Sequence, residues 1–232
     1  RGITKVFGTV VANDKIDLSV KYGEILALLG ENGSGKTTLM NMLSGIYHPD
    51  EGSISISGQR VAINSPHDAI DLGIGMIHQH FKLVEVFSAM DNIIAGTPGK
   101  LKKRSVMRND ISEISKKLGL DVDPDKKIYN MSVSEKQTVE ILKVLYRGAK
   151  ILILDEPTAV LTPQETEKLF DMLRRMRNDG CAIIIITHKL NEVLSISDRV
   201  TVLRKGQSVA TVNTAETDDK KLTELMVGKP VS

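Results

Sequence analysis

The sequence predicts an α/β fold: a buried, largely parallel β-sheet flanked by helices, with a small β portion at the start and a helical insertion in the middle. Three observations carry this. Short apolar, β-branched runs recur at Ile25–Leu29, Ile54–Ile56, Ile74–Ile77, Ile151–Leu154, Ala182–Ile186 and Val200–Leu203, the pattern of strands covered on both faces. Helical patterns separate these runs. One strand-to-helix junction carries a glycine-rich loop of the phosphate-binding kind.

The predicted helices follow Gly35, Pro66, Ser132, Pro163, His188 and Thr217. In the stretch Pro163–Arg177, Leu169, Phe170, Leu173 and Met176 fall on one face with charges opposite, and Pro163 suits the first turn, where its missing N–H is no loss. Near the C-terminus, Arg199–Arg204 and Gln207–Asn213 flank Lys205-Gly206 and read as a hairpin. From Lys82 to about Tyr146 there is no strong strand, so the middle is mainly helical. The expected plan is one domain over residues 1–232. Its α/β core and β portion occupy approximately 1–81 and 147–232, and a helical subdomain occupies 82–146.

Composition narrows the function classes. The 232 residues suffice for a real hydrophobic core, and a formal net charge of +2 gives no electrostatic argument for a nucleic-acid partner. The single cysteine, Cys181, cannot build a disulfide framework, which points to a reducing compartment. At the head of Cys-Ala-Ile-Ile-Ile-Ile it reads as a small buried hydrophobe. Uninterrupted apolar runs fall far below the roughly 20 residues that cross a bilayer, so any membrane association goes through another protein. The chain starts at Arg1 and stops soon after a helical pattern, and it reads as a piece of something longer.

Gly30-Glu31-Asn32-Gly33-Ser34-Gly35-Lys36-Thr37 matches G-x-x-x-x-G-K-[ST]. A predicted strand precedes it and a predicted helix, Lys36 to about Ser44, follows. Glycines let backbone N–H groups crowd round an anion, and the helix N-terminus adds donors and a positive dipole end. Lys36 supplies a full charge for the β- and γ-phosphates, and Thr37 offers a hydroxyl to Mg²⁺.

Ile151–Leu154 runs into Asp155-Glu156. Ligands of parallel sheets sit at the C-terminal ends of strands, so both acids land beside the loop. Asp155 is the candidate holder of Mg²⁺, and Glu156 the candidate general base for an attacking water. His188 ends another buried strand at the same rim, either as a γ-phosphate sensor or as an ordinary structural or surface histidine. Gln79 follows the strand Gly75–Ile77, and its amide suits Mg²⁺ or the attacking water.

Taken together, these residues resemble the ATP-binding-cassette (ABC) ATPases along essentially the whole chain. The loop, Gln79, the segment Met131-Ser132-Val133-Ser134-Glu135-Lys136-Gln137, then Leu154-Asp155-Glu156-Pro157-Thr158 and Thr187-His188 stand in the family's order. The resemblance implies a P-loop NTPase with a RecA-like parallel sheet, an N-terminal antiparallel β subdomain and a helical insertion. It implies ATP and Mg²⁺, with Asn32, Gly33, Ser34, Gly35 and Thr38 joining Gly30, Lys36 and Thr37 around the phosphates, and Thr37, Gln79 and Asp155 about the metal. Phe7 stands where the family stacks an aromatic on adenine; its alternative reading is a core residue.

Residues 131–137 align with the family's Leu-Ser-Gly-Gly-Gln signature, whose helix end caps the nucleotide of a second domain. Ser132 fits and Ser134 joins it. Val133 and Ser134 replace both glycines, Glu135 stands for Gln, and Thr162 replaces an Asp that crosses to the partner. The runs Ile77–Val84, Pro157–Thr162 and Glu224–Gly228 resemble the first domain of tandem ATPases of simple-sugar and nucleoside importers. That likeness implies a second ABC domain as partner, as tandem half or homodimer. It also implies transmembrane permease subunits, an extracytoplasmic solute-binding protein reached through them, and a peripheral place on the cytoplasmic face of a bacterial membrane. The rival readings are a soluble non-transport ABC ATPase and a regulatory half-site with little turnover.

Overall fold

In the computed structural model of the chain, residues 1–97 and 102–232 are described. Part of the expected helical insertion, residues 98–101, therefore lies outside the described residues. The elements in chain order are β1 (Ile3–Phe7), β2 (Val10–Ile16), β3 (Ile25–Leu29), α1 (Lys36–Leu43), β4 (Ile54–Ile56), β5 (Gln59–Val61), α2 (Pro66–Asp71), β6 (Ile74–Ile77), α3 (Ala89–Ile94), α4 (Arg104–Leu118), α5 (Val133–Tyr146), β7 (Ile151–Asp155), α6 (Pro163–Asn178), β8 (Ala182–Thr187), α7 (Leu190–Ile196), β9 (Arg199–Arg204), β10 (Gln207–Asn213) and α8 (Asp219–Val227).

The main sheet has the order β10-β9-β3-β8-β7-β6. It is parallel except at β10, which returns antiparallel to β9 through Lys205-Gly206. Every residue of the central strands β3 and β8 is buried, which is why their sequences are continuous apolar runs rather than alternating ones. Side chains still alternate between faces. Leu152, Leu154, Ile183 and Ile185 join the core shared with α3, α4, α5 and α6. Ile153, Ile184 and Ile186 face the other way, onto Leu39, Met40 and Met42 of α1 and onto Ile3 and Ile16 of the N-terminal ribbon.

One expected strand belongs elsewhere. Ile54–Ile56 does not enter the parallel sheet; β4 pairs antiparallel with β5, with Ile56 opposite Gln59. The reason is local. Ser57 and Gly58 both have positive φ, 52° and 78°, as a two-residue hairpin turn demands. Ser55 between the two isoleucines is exposed, so the run has the period of a strand buried on one face only.

Helix α6 shows how closely the local signals agree. Thr162 caps it, Glu165 reaches back to Thr162 N–H to complete a capping box, and Pro163 opens the first turn. Leu169, Phe170, Leu173 and Met176 are all buried against the sheet. Cys181 lies buried just before β8, and burial pushes its thiol pKa up. In the basic run at 102–104, Lys102 and Arg104 reach Asp110 and Asp91, at 3.5 and 2.9 Å. Truncating the buried Leu173 to Ala is expected to cost about 2–5 kcal/mol, read as a lower urea midpoint with unchanged slope.

Candidate functional site

Strands β3, β8, β7 and β6 run the same way, so their C-terminal ends share one rim. From β3 the chain enters the loop 30–35 and then α1. Gly35 sits at the helix start with φ 100°, and no side chain caps it, so no capping side chain occupies the free N–H groups of the first turn. A Cβ on Gly35 would lie 2.7 Å from both Ala12 O and Asn13 Nδ2. A glycine is therefore required for two independent reasons, handedness and space.

The loop is gripped from outside. Asn13 Nδ2 donates to Gly35 O at 3.1 Å, and Gly206 N–H donates to Ser34 O at 3.0 Å. Strand β2 and the β9–β10 turn are themselves joined through Asp14 N–H to Gly206 O, at 2.8 Å. Nothing in the sequence pattern singled out Asn13 or Gly206 for this task, because the contacts join segments remote in the chain.

Lys36 is 7 % exposed. Its ammonium donates to Gly30 O and lies 3.9 Å from Glu156 Oε1. Burial lowers its pKa, opposed by the charges of Glu156 and Asp155. Asp155 closes β7. Burial, then the neighbouring Glu156 charge, raises its pKa, and Lys36 opposes that rise. Glu156 has φ 44°, an uncommon left-handed conformation for a non-glycine residue. Its N–H donates to Ile186 O at 2.9 Å, and its Oε1 lies 2.9 Å from His188 Nδ1.

Asn32, Gly33, Ser34, Gly35, Lys36, Thr37 and Thr38 share one cleft of about 610 Å³ with Gln79, Asp155 and Glu156. Ser34 Oγ is buried there without a hydrogen-bond partner among the described residues. The hydroxyl of Thr37, the amide oxygen of Gln79 and the carboxylate of Asp155 are hard oxygen donors of the kind that suits Mg²⁺.

The remaining predicted residues stand apart. Phe7 is 42 % exposed, which removes the core alternative. Its ring meets Tyr47 edge-on, 5.2 Å between centroids, with Lys5 Nζ 5.4 Å from its own centroid. It does not line the phosphate cleft, whose nearest wall of that ribbon is Val10, Val11 and Ala12. Tyr47 was not anticipated; its only signal is that it is an exposed aromatic in a chain with 3 % aromatics.

Ser132 and Ser134 lie at the start of α5, outside that cleft. The Ser132 hydroxyl accepts from Glu135 N–H at 3.2 Å, Glu135 accepts from Ser132 N–H at 3.3 Å, and Lys126 pairs with Glu135 at 2.9 Å. Ser134 O accepts from the Thr138 hydroxyl. A second cleft, about 410 Å³, lies between Val133 of α5 and the pair Gln79 and Glu156.

A phosphate loop, paired acids and a strand-end histidine on one rim of a parallel sheet define a nucleotide-binding domain of the phosphate-loop class. Residues 13–159 match the ABC transporter family, and the chain belongs to that family, the ATP-binding cassettes. Over 233 residues it is 51% identical to the nucleoside import ATP-binding protein NupA of Lactococcus lactis subsp. cremoris, covering 99% of this chain and 46% of that protein. It is 47% identical over 234 residues to the ribose import ATP-binding protein RbsA 1 of Burkholderia thailandensis, again 99% of this chain and 46% of the relative. The chain spans about half the length of the curated relatives it matches. Among solved structures, the ADP conformation of MJ1267, an ATP-binding cassette of an ABC transporter, superposes with TM-score 0.86 at 26% identity, over 98% of this chain and 97% of that one.

The raised pKa of Asp155 makes a stability statement. Its ionised form is less favoured in the folded than in the unfolded chain, so stability falls as pH rises from the ordinary carboxylate range through the raised folded value. Asp155→Asn is expected to flatten that fall in stability with pH in the nucleotide-free protein. Calorimetry of the wild type and the variant across that pH range checks it.

Proposed function

We propose that this chain binds ATP with Mg²⁺, hydrolyses it, and powers uptake of a simple sugar or nucleoside as the motor half of an importer. The observation that supports this most is a single cleft holding the phosphate loop, Gln79, Asp155 and Glu156, with His188 hydrogen-bonded to Glu156 at 2.9 Å. Phe7 takes the adenine, with Tyr47 buttressing its ring. Loop N–H groups and Lys36 hold the phosphates. Thr37 and Asp155, with Gln79, would hold Mg²⁺, which would supply charge neutralisation for the phosphates.

Glu156 accepts a proton from a water whose oxygen attacks the γ-phosphorus as the bond to the β-phosphate oxygen breaks, releasing ADP and phosphate. His188 holds the Glu156 carboxylate in place, and Gln79 orients the water. Ser132 and Ser134, outside the chain's own cleft, serve the nucleotide of a second cassette, either a tandem half or another copy. The hydroxyl of Ser132 accepts from Glu135 N–H and keeps its proton for donation to a phosphate oxygen.

The division into an α/β core with its β subdomain and a helical part at 82–146 gives the motor a surface for permease subunits. Through them it meets an extracytoplasmic solute-binding protein, which places the chain peripherally at the cytoplasmic face of the membrane. The relatives named for nucleoside and ribose import support the solute class.

One observation favours a second reading, a half-site with low turnover. The Glu135 carboxylate sits in the first turn of α5 and competes there with any phosphate of a partner, although Lys126 offsets its charge.

ATPase rate against protein concentration, with nucleotide binding measured in parallel, separates the readings. A rate per molecule that climbs with concentration supports a working pair; binding without turnover at any concentration supports the half-site. Lys36→Ala is expected to weaken ATP binding roughly 10–100-fold, the loss of a charge-assisted hydrogen bond. Glu156→Gln is expected to keep binding and lower turnover about 10²–10⁴-fold. Unchanged affinity in the first, or unchanged turnover in the second, overturns that residue's role.

A further inference from the structure

Helix α5 carries two buried polar side chains, Gln137 and Glu140, each 5 % exposed. They are three residues apart and so share one helix face. Both hydrogen-bond to the backbone of another segment rather than to their own helix. Gln137 Nε2 donates to Pro157 O at 2.7 Å, one residue beyond Glu156. Glu140 Oε1 accepts from Lys82 N–H at 3.1 Å, three residues beyond Gln79. One rigid helix thus grips the chain just past the acid and just past the glutamine that flank the cleft.

Such groups are costly where they stand. Burying an amide or a carboxylate is unfavourable unless it is well paired, and burial raises the Glu140 pKa against the pull of Lys143 and the Lys82 N–H. An apolar side chain would fill either place at less cost. What the polar atoms supply is direction. The backbone at Glu156 is left-handed, φ 44°, and a strained conformation persists only where its surroundings over-determine it. The Pro157 carbonyl held by Gln137 and the Glu156 N–H held by Ile186 O at 2.9 Å fix that turn from both sides.

We infer that Gln137 and Glu140 are positioning residues, through which α5 sets the placement of Glu156 and Gln79 toward the nucleotide. The same helix begins at Ser132, so these two hydrogen bonds link the end of α5 offered to a second cassette with the chain's own catalytic groups. This rests on the reading of Glu156 and Gln79 given under Proposed function.

The test uses Gln137→Met and Glu140→Met, which keep length and remove the hydrogen bond, and Glu140→Gln, which keeps an acceptor oxygen. Affinity for ATP with Mg²⁺, melting temperature and amide hydrogen exchange are measured at concentrations where light scattering shows a monomer. In the wild type, ATP binding is expected to slow exchange at residues 132–137 as well as around the phosphate loop. Gln137→Met and Glu140→Met are expected to abolish the slowing at 132–137 with ATP affinity changed less than about twofold, and Glu140→Gln to retain it. Where turnover is measurable, the two Met variants are expected to lose roughly 10–100-fold in rate at that near-constant affinity. ATP bound with no effect at 132–137 in the wild type, an unaltered effect in the Met variants, or Glu140→Gln behaving like Glu140→Met each overturns the inference. A wild-type chain that does not bind ATP overturns the reading beneath it instead.

Discussion

Lys36 is a cation with only 7 % of its surface in water, and the surrounding architecture follows from what such a charge requires. A buried ammonium needs acceptors and opposite charge close by. Gly30 O comes from the loop, and the carboxylates of Asp155 and Glu156 come from the end of β7. That supply is possible because β7 reaches the same rim as β3, with only β8 between them. The strand order is thus an electrostatic arrangement as well as a packing one. The interaction runs both ways, since Lys36 is also what opposes the rise in the Asp155 pKa.

Much of this was legible in the sequence where the signal is local. Leu29 running into Gly30, Leu154 into Asp155 and Ile186 into Thr187 each announce a strand, its end and its chemistry within a few residues. What stayed hidden joins distant segments. Asn13 reads as one polar residue in a short strand until Gly35 O is found above it. Gln137 reads as a polar position of an amphipathic helix until the Pro157 carbonyl meets it. Ile54–Ile56 was misplaced because three residues are too few for composition to tell a buried strand from one arm of a hairpin, and Ser57-Gly58 holds the deciding information.

Two departures from the family pattern keep a local capping role. Glu135, in a position where the family has Gln, completes a capping box with Ser132, and Thr162, in place of Asp, does the same with Glu165. Each substitution trades one hydrogen-bonding side chain for another that satisfies a helix start. The altered residues therefore have structural work whether or not a second domain is present.

The clamp around the phosphate loop also bears on how the molecule is made. Asp14 reaches the turn after β9 through its N–H to Gly206 O, and through its carboxylate to Gln207, 193 residues further along. Strand β3 has β8 and β9 as its neighbours, both in the last quarter of the sequence. A growing polypeptide that has produced the loop but not residues 182–207 has neither the strands beside it nor the turn that holds Ser34 O. During synthesis, at about 5–20 residues per second, the loop waits roughly ten to thirty seconds, incomplete, for its walls. The pairings that complete the site span long sequence separations, the kind of contact that slows folding.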